Sequence, residues 1–266
     1  MADTTFTDET LCEKLCALAI EAGAAAMRVY GSEFQVDAKD DKSPVTEADR
    51  LAEAIILAGL KVFAPTIPVL AEERASDGEI PLDLGDQFFL VDPLDGTREF
   101  VNRTGEFTIN IALIENGRPV CGVVYAPVIN KLFLGSRNGA WRMFVSEDGV
   151  LGAREKITAR PSPHDGLVAV ASRSHRSPET DEFLKTLSVS DFTAAGSSLK
   201  FCLLAEGNAD IYPRFGRTME WDTAAGQAVL EAAGGCVMTH PEGTALAYGK
   251  RARGFDNPYF IAWGKR

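Results

Sequence analysis

Two apolar segments of the chain each end abruptly in acids, and this pattern constrains the fold more than any other feature. Residues 67–73, IPVLAEE, and residues 87–92, QFFLVD, each have the apolar run of a buried strand followed by carboxylates. Neighbouring strands that both end in acids would bring several negative charges together, which is unfavourable unless a cation compensates them. We therefore expect the two strands to end side by side at a cation-binding site.

The ligand types indicate which cation this site would take. The acids are Glu72 and Glu73 after the first segment and Asp92 and Asp95 around the end of the second, with no Cys or His close by in sequence. Oxygen-only ligands favour a hard cation, and Mg²⁺ fits this set best. The Asp-Gly pair that follows the second segment is also a common turn signal, so that segment alone leaves both interpretations open.

Two further acids stand where helices are predicted to begin. Asp222, in MEWDTAAG, has the position of an N-cap. Thr46 and Asp49, in SPVTEADR, have the spacing of a capping box. Local sequence alone does not distinguish a helix cap from a metal ligand at either acid.

Composition places the chain among globular proteins. Its 266 residues, 45% of them hydrophobic, can form one large core or two modest ones. The net charge of −11 disfavours nucleic-acid binding. Five cysteines without a CxxC pair predict buried thiols rather than a disulfide framework. An acidic N-terminus and the lack of an apolar run of about 18 residues predict a cytoplasmic protein with no integral membrane segment, with peripheral contact at the inner membrane left open.

The order of the predicted elements indicates an α+β half followed by an α/β half. Helices are predicted over residues 8–29 and 47–62, and hairpins follow, one of them around the turn ENGR. Strands and helices then alternate toward the C-terminus. We expect the halves to be residues 1–150 and 151–266.

Two motifs resemble those of the inositol monophosphatase superfamily, whose members are metal-dependent, lithium-sensitive phosphatases. They are DPLDGT at residues 92–97 and WDTAAG at residues 221–226. SPVTEADRLAE from residue 43 and GSSLKFCLLAEGNADIYPRFG from residue 196 resemble one bacterial branch, the 3'(2'),5'-bisphosphate nucleotidases. The resemblance covers almost the whole chain. It implies a layered α-β-α-β-α sandwich with the active site between the two halves.

The resemblance also implies the metal ligands, most of them in the first half. They are side-chain carboxylates and one main-chain carbonyl, from Asp49, Glu72, Asp92, Leu94, Asp95 and Asp222. Two Mg²⁺ ions are expected, the second bound with the help of Asp222 from the second half. Asp49, with Glu72, would lie near a weaker third ion.

The resemblance and the local sequence together indicate catalytic and substrate-binding residues. Thr97, hydrogen-bonded to Asp49, would orient the attacking water and relay its proton, and Glu72 would also contact that water. The expected substrate contacts are Gly96, Thr97, Arg98, His175, Ser197, Lys200, Arg214 and Asp222. Local sequence also fits Ser197 as an ordinary helix cap, Lys200 as a solvated lysine and His175 as a structural histidine.

The activity implied is hydrolysis of adenosine 3',5'-bisphosphate to AMP and phosphate in sulfur metabolism, with 3'-phosphoadenylyl sulfate as a second substrate. The nearest alternatives are sibling phosphatases acting on inositol monophosphate, histidinol phosphate or fructose 1,6-bisphosphate. A catalytically inactive binding protein is a more distant one, disfavoured by the intact set of acids. No strand runs into GxGxxG, which disfavours a dinucleotide-binding fold. A homodimer is compatible with the resemblance.

Overall fold

The chain combines seven α-helices with fourteen strands within residues 8–38, 44–171 and 177–266, the parts that the computed structural model describes. The helices are α1 (Asp8–Tyr30), α2 (Glu47–Phe63), α3 (Glu72–Ser76), α4 (Thr97–Val101), α5 (Pro178–Lys185), α6 (Leu199–Ala205) and α7 (Ala224–Ala232). The strands are β1 (Val36–Ala38), β2 (Pro44–Thr46), β3 (Val69–Ala71), β4 (Gln87–Asp95), β5 (Thr108–Glu115), β6 (Arg118–Ala126), β7 (Lys131–Ser136), β8 (Gly139–Phe144), β9 (Glu155–Ile157), β10 (Leu167–Ala171), β11 (Val189–Ala194), β12 (Ile211–Arg214), β13 (Cys236–Thr239) and β14 (Phe260–Trp263). The two helices predicted near the N-terminus are confirmed as α1 and α2.

The larger sheet has seven strands in sequence order, from β3 to β9. β3 and β4 are parallel, and every other neighbouring pair is antiparallel. The predicted ENGR turn joins β5 to β6, with φ of 49° at Asn116 and 73° at Gly117. Positive φ at both turn residues is typical of a type I′ hairpin, whose twist matches that of the flanking strands. The hairpin prediction is confirmed here.

Helices and a second sheet complete a five-layer sandwich. α1 and α2 pack on one face of the larger sheet, where Leu15, Ile56 and Val123 share one apolar cluster. α6 and α7 pack on its other face, and a five-stranded sheet of order β11-β10-β12-β14-β13 covers them in turn. α5 packs on the far face of that second sheet, where Leu184 lies in a cluster with Ile211. The predicted α-β-α-β-α sandwich is confirmed.

Two glycines let α7 lie directly against the larger sheet. A Cβ at Gly122 would lie 2.7 Å from the carbonyl oxygen of Ala225, and one at Gly135 would lie 2.5 Å from that of Ala228. Atoms in a packed interior do not approach this closely, so any added side chain would push the helix away from the sheet. Asp222 lies just before α7, so this close packing also helps to place a predicted metal ligand.

Gly135→Ala should lower the free energy of unfolding by about 1–3 kcal/mol, because the added methyl group overpacks the contact between β7 and α7. Urea unfolding followed by circular dichroism measures the loss. Gly31→Ala is the control, since the atom nearest to its added Cβ, the Met27 carbonyl oxygen, lies 3.4 Å away. Equal stability of the two variants would contradict the close contact at Gly135.

The cysteines are free thiols, as the sequence predicted. Cys12, Cys16, Cys121 and Cys202 are buried, and Cys236 is half-buried. Cys12 and Cys121 approach each other most closely, with 3.7 Å between their Sγ atoms. Burial, the leading cause, raises the pKa of Cys16 to about 12, as expected of a thiol in an apolar core.

The larger sheet extends past residue 150, where the sequence predicted the boundary between halves. Its last strand, β9, pairs with β8, so residues 155–157 belong to the same sheet as the first half. One apolar cluster contains Ile114 from the larger sheet and Phe260 from the smaller one. The two sheets therefore share a core, and the division at residue 150 stays a prediction.

Candidate active site

A one-residue bulge at the end of β4 places two acids on the same face of the larger sheet. Asp92 lies opposite Asn110 of β5 and Asp95 lies opposite Thr108, so three steps along β4 match two along β5. In a regular strand, residues three apart point to opposite faces. Here the partners on β5, Asn110 and Thr108, are two apart and share a face, so the bulge turns Asp92 and Asp95 to that same face. Both carboxylates therefore lie on the face that α6 and α7 cover.

The turn after β4 brings Thr97 to the carboxylate of Asp49. Gly96 is in the left-handed region, with φ of 98°, and a Cβ there would lie 3.1 Å from the Glu106 carbonyl oxygen. Conformation and space both favour glycine, as predicted for a tight turn. The Thr97 hydroxyl lies 3.1 Å from Asp49 Oδ1 and 3.3 Å from the Leu94 carbonyl oxygen. The predicted hydrogen bond from Thr97 to Asp49 is confirmed.

Asp49 also caps the helix on which it lies. Its Oδ2 accepts hydrogen bonds from the Thr46 N–H at 2.8 Å and the Thr46 hydroxyl at 2.7 Å. The predicted capping box of α2 is therefore confirmed. One oxygen of Asp49 stabilises the helix start while the other accepts from Thr97, so the same buried side chain is both a cap and a member of the site.

Asp92 and Glu72 meet where β3 and β4 run side by side. Ala71 lies opposite Val91 in the parallel pair, and Glu72 follows as the first residue of α3. The carboxyl groups of Glu72 and Asp92 lie close enough to interact. Burial raises the pKa of Asp92 well above its usual range, and the charges of neighbouring carboxylates, Glu72 first, raise it further. The predicted meeting of the two strand ends is confirmed.

Asp222 reaches these carboxylates from the far end of the chain. The helix after it begins at Ala224 with Thr223 as N-cap, so the interpretation of Asp222 as the N-cap is wrong. Its Oδ2 instead accepts a hydrogen bond from the Met219 N–H at 2.9 Å, which closes a turn before α7. Burial raises the pKa of Asp222 to about 8, and the charge of Asp95 is the next cause.

The chemistry of this acid cluster (Glu72, Asp92, Asp95 and Asp222) fits a hard divalent cation. Burial raises the pKa of Asp95 too, against the opposing charge of Lys200. The charges of neighbouring carboxylates contribute to the raised pKa values of Asp92, Asp95 and Asp222, a cation would offset those charges, and oxygen ligands suit Mg²⁺. Among the residues that the structure describes, no three such side chains are already arranged to hold a metal ion.

Acids and cations line one cleft of about 670 Å³. Lys200 is only 6% exposed, and its ammonium group lies 5.5 Å from the centre of the Tyr212 ring. Burial lowers the pKa of Lys200 to about 8, although the charge of Asp95 acts in the opposite direction. The interpretation of Lys200 as a solvated lysine is therefore wrong. Arg214 lines the same cleft, and its Nη2 donates to the Arg217 carbonyl oxygen at 3.1 Å.

Ser197 does not cap α6, contrary to one interpretation of its sequence. The N-cap is Ser198, and its side chain makes no capping hydrogen bond. Ser197 has φ of 48°, and within the described ranges its buried hydroxyl has no hydrogen-bond partner. Arg214 Nε is unpaired in the same way. Buried polar atoms without partners are unfavourable, so both are suited to bind a polar ligand in the cleft.

Nine of the predicted site residues line this cleft. They are Glu72, Asp95, Gly96, Thr97, Arg98, Ser197, Lys200, Arg214 and Asp222. Asp49 and Leu94 contact Thr97, and the carboxyl group of Asp92 interacts with that of Glu72. His175 lies outside the described residues, so its substrate contact stays a prediction.

Two polar residues beside the acid cluster, Asn110 and Ser198, were not predicted. Asn110 is 1% exposed and donates to Ser198 Oγ at 2.9 Å. An amide in the middle of the apolar strand FTINIALI, residues 107–114, was the available sequence signal. Ser197 and Ser198 are adjacent serines that the sequence pattern does not distinguish, so only the structure shows which contacts each one makes.

Comparisons with known sequences agree over most of the chain. The profile of the inositol monophosphatase family matches residues 8–259. The chain is 47% identical over 250 residues to the 3'(2'),5'-bisphosphate nucleotidase CysQ of Shigella flexneri, covering 93% of this chain and 97% of that protein. It is 46% identical over 250 residues to the protein of the same name from Escherichia coli strain K12, with the same coverage.

Solved structures show the same similarity. CysQ from Bacteroides thetaiotaomicron, described as a bacterial member of the inositol monophosphatase family, has a TM-score of 0.79 and 39% identity, covering 96% of this chain and 97% of that one. An inositol monophosphatase from Thermotoga maritima has a TM-score of 0.75 and 26% identity, covering 94% and 90%. The similarity thus extends over nearly the whole fold.

Proposed function

Because the chain belongs to the inositol monophosphatase family, we propose that it is a magnesium-dependent 3'(2'),5'-bisphosphate nucleotidase that hydrolyses adenosine 3',5'-bisphosphate to AMP and phosphate. The observation that carries the proposal is one cleft lined by the acids Glu72, Asp95 and Asp222 and by the cations Lys200 and Arg214. A bisphosphate needs a metal site for the phosphate that reacts and cationic side chains for the other. Relatives named as bisphosphate nucleotidases align with the chain over 93% of its length.

The proposed metal ligands all offer oxygen atoms. They are the carboxylates of Asp49, Glu72, Asp92, Asp95 and Asp222 and the main-chain carbonyl of Leu94. Mg²⁺ bound there, as two or three ions, would polarise the reacting phosphate and neutralise the charge that develops in the transition state. The protein contributes the arrangement of the carboxylates, which the bulge in β4, the start of α3 and the turn before α7 hold near one another.

Thr97 and Asp49 are proposed to prepare the attacking water. A hydroxyl can accept a hydrogen bond from water while it donates to Asp49 Oδ1, so a proton can pass from water to Thr97 and from Thr97 to Asp49. Glu72 lines the cleft beside Thr97 and would contact the same water. The water oxygen bonds to phosphorus as the bond from phosphorus to the ribose oxygen breaks, and the released ribose oxygen takes up a proton from solvent to give the 3'-hydroxyl of AMP.

Substrate recognition is proposed to depend on the cationic side chains of the cleft. The Arg214 guanidinium has the planar shape that binds phosphate oxygens in pairs, and Lys200 adds a compact charge. Ser197 offers its unpaired hydroxyl to the same phosphate. Gly96 and Arg98 line the cleft and are proposed contacts of the reacting phosphate. His175 stays a predicted contact.

Further sequence predictions accompany this proposal. We expect the enzyme to act in the cytoplasm in sulfur metabolism and to accept 3'-phosphoadenylyl sulfate as well. A homodimer stays a prediction, and nothing in the described residues supports the peripheral membrane contact that was considered. Separately, no helix within residues 8–38, 44–171 and 177–266 is long and apolar enough to cross a membrane.

Phosphate release from four substrates tests the proposal. They are adenosine 3',5'-bisphosphate, inositol 1-phosphate, histidinol phosphate and fructose 1,6-bisphosphate, each assayed with Mg²⁺ and then with EDTA. We expect a strong preference for the first and loss of release in EDTA. Preference for another substrate would keep the metal site and overturn the nucleotide assignment. No release from any of them would favour the inactive binding protein.

Arg214→Ala should lower kcat/KM for adenosine 3',5'-bisphosphate by about 10- to 100-fold, because hydrogen bonds to charged groups contribute about 1.5–3 kcal/mol and 1.36 kcal/mol is tenfold. Adenosine 3'-monophosphate lacks the 5'-phosphate and serves as an internal control, so its kcat/KM should change little. Steady-state kinetics with both substrates measure the difference. Equal losses would show that Arg214 does not bind the 5'-phosphate.

A further inference from the structure

An amide inside strand β5 connects two of the acids. Asn110 Nδ2 donates to Ser198 Oγ at 2.9 Å and to Asp95 Oδ2 at 3.3 Å. Ser198 Oγ donates in turn to the main-chain carbonyl oxygen of Asp222 at 2.8 Å. Three hydrogen bonds therefore link a carboxylate of the larger sheet to the turn that carries Asp222.

This network also decides the orientation of the Asn110 amide. An ionised carboxylate only accepts hydrogen bonds, and the single proton of Ser198 is directed to the Asp222 carbonyl oxygen or to Asp95, so Ser198 Oγ accepts from Asn110. A rotated amide would place Oδ1 against acceptors on both sides, so the nitrogen has to face them. Both protons of Nδ2 are then used, and Asn110 and Ser198 are each only 1% exposed.

The burial of Asn110 brings no evident gain in stability. Ala112 and Ile114 follow it on the same face of β5 and pack into the apolar core beneath α7. A hydrogen bond contributes only about 1 kcal/mol net, whereas a buried polar atom left without a partner costs about 1–3 kcal/mol. Moreover, Asn110 Oδ1 has no hydrogen-bond partner in the part of the chain that the structure describes. What the amide adds is a defined geometry around Asp95 and Ser198.

We propose that Asn110 is a positioning residue that, through Ser198, holds the Asp95 carboxylate and the main chain of Asp222 at one separation and so sets the affinity of the site for Mg²⁺. The inference rests on the proposed function, because Asp95 and Asp222 are proposed metal ligands. The two acids come from distant parts of the chain and repel each other. Without the link, each would settle where its own segment places it, farther from the geometry that a cation needs.

Titration of Mg²⁺ into the protein by calorimetry, without substrate, tests this role separately from turnover. Asn110→Leu removes both donors at similar size, and Ser198→Ala breaks the link from its other end. Each should weaken Mg²⁺ binding by about 10- to 100-fold, the range seen when groups that orient ligands are lost. The double variant should bind little more weakly than either single one, because both act in one chain of hydrogen bonds. Ser198→Thr keeps the hydroxyl and should retain the affinity.

Thr108→Val is the matched control. Thr108 lies on the same face of β5 as Asn110, is fully buried, and has a hydroxyl without a hydrogen-bond partner in the described ranges. Thr108→Val should bind Mg²⁺ as the wild-type protein does. Thermal unfolding in EDTA should show Asn110→Leu to be no less stable than this control. Raising the Mg²⁺ concentration should restore the kcat of Asn110→Leu with little change in the KM for the nucleotide.

The outcomes separate this inference from the proposed function. A wild-type protein that does not bind Mg²⁺ would overturn the proposed function and the inference with it. If the wild-type protein binds Mg²⁺ and Asn110→Leu and Ser198→Ala bind it equally tightly, only the positioning role is overturned. The role also fails if the losses of Mg²⁺ affinity in Asn110→Leu and Ser198→Ala add in the double variant. It fails equally if the Mg²⁺ affinity of the variants falls only in proportion to their melting temperature.

Discussion

Asp222→Asn should lower turnover by about 10³-fold or more, because a bound metal supplies several kcal/mol of transition-state stabilisation and each 1.36 kcal/mol is tenfold. Asparagine has the same size and can still accept from the Met219 N–H, so the turn before α7 should be preserved. Phosphate release at saturating substrate and Mg²⁺ measures the loss. Calorimetry on the same variant should show weaker Mg²⁺ binding.

The same variant should be more stable than the wild-type protein in EDTA, and the difference should depend on pH. Burial and the charge of Asp95 raise the pKa of Asp222 to about 8 in the folded protein. The protonated form of Asp222 is therefore favoured by folding. Its contribution to the free energy of unfolding is complete below the ordinary pKa of an aspartate and is lost as the pH rises through about 8. Between about pH 5 and about pH 8, the melting temperature of Asp222→Asn should fall less than that of the wild-type protein.

Asp210→Asn is the matched control, since Asp210 is a buried acid with a cation as partner. Arg160 donates to both of its oxygens at 2.8 Å. Although burial acts to raise it, the pKa of Asp210 is lowered, chiefly by this hydrogen bonding. Asp210→Asn should lose stability and keep its Mg²⁺-dependent turnover. An Asp222→Asn protein that keeps its turnover, or that is less stable in EDTA, would contradict the proposed role of the acid cluster.

Thr97→Val should lower kcat by about 10²- to 10⁴-fold, the range of general acid–base catalysis. Valine has nearly the same shape but lacks the hydroxyl that would join the attacking water to Asp49. Mg²⁺ affinity should change far less than kcat, because Thr97 contacts Asp49 and the Leu94 carbonyl but is not itself a proposed metal ligand. Kinetics over a range of Mg²⁺ concentrations therefore distinguish Thr97 from Asn110, whose loss should be overcome by added Mg²⁺.

Thr97→Ser should retain most of the turnover, since it keeps the hydroxyl. Thr104→Ala serves as a control nearby in the chain, because it removes an exposed hydroxyl that donates to the Glu99 carbonyl oxygen at 3.3 Å. It should leave turnover unchanged. Undiminished turnover in Thr97→Val would refute the role of Thr97 and leave the proposed metal site standing.

Local sequence was sufficient for the features that depend on residues near one another in the chain. The capping-box spacing of Thr46 and Asp49 and a turn at the Asp95-Gly96 pair were both predicted, and both are present. The hairpin around ENGR, which joins β5 to β6, is a third case. In each, the side chain or the lack of one acts on backbone only a few residues away, so its effect does not depend on the rest of the fold.

Local sequence failed where the outcome depends on distant segments. Asp222 has the local pattern of an N-cap, yet it hydrogen-bonds backward to Met219. Lys200 has the pattern of a solvated lysine, yet it is 6% exposed. The family resemblance correctly grouped these residues in one cleft, but it did not indicate the contacts of Asn110 and Ser198. Such contacts depend on how α6 meets β5, which short-range patterns do not contain.

The sequence by itself determined that acids follow buried strands, that a glycine turn follows Asp95, and that the family's motifs are present. Only the tertiary structure decided that Asp92 and Asp95 share a face. The two acids are three residues apart, and a bulge in β4 pairs them with residues of β5 that are two apart. It also decided that Asp222 joins them, because α7 packs directly on Gly122 and Gly135. Pairing register and helix packing arise between segments far apart in the chain, so no local pattern specifies them.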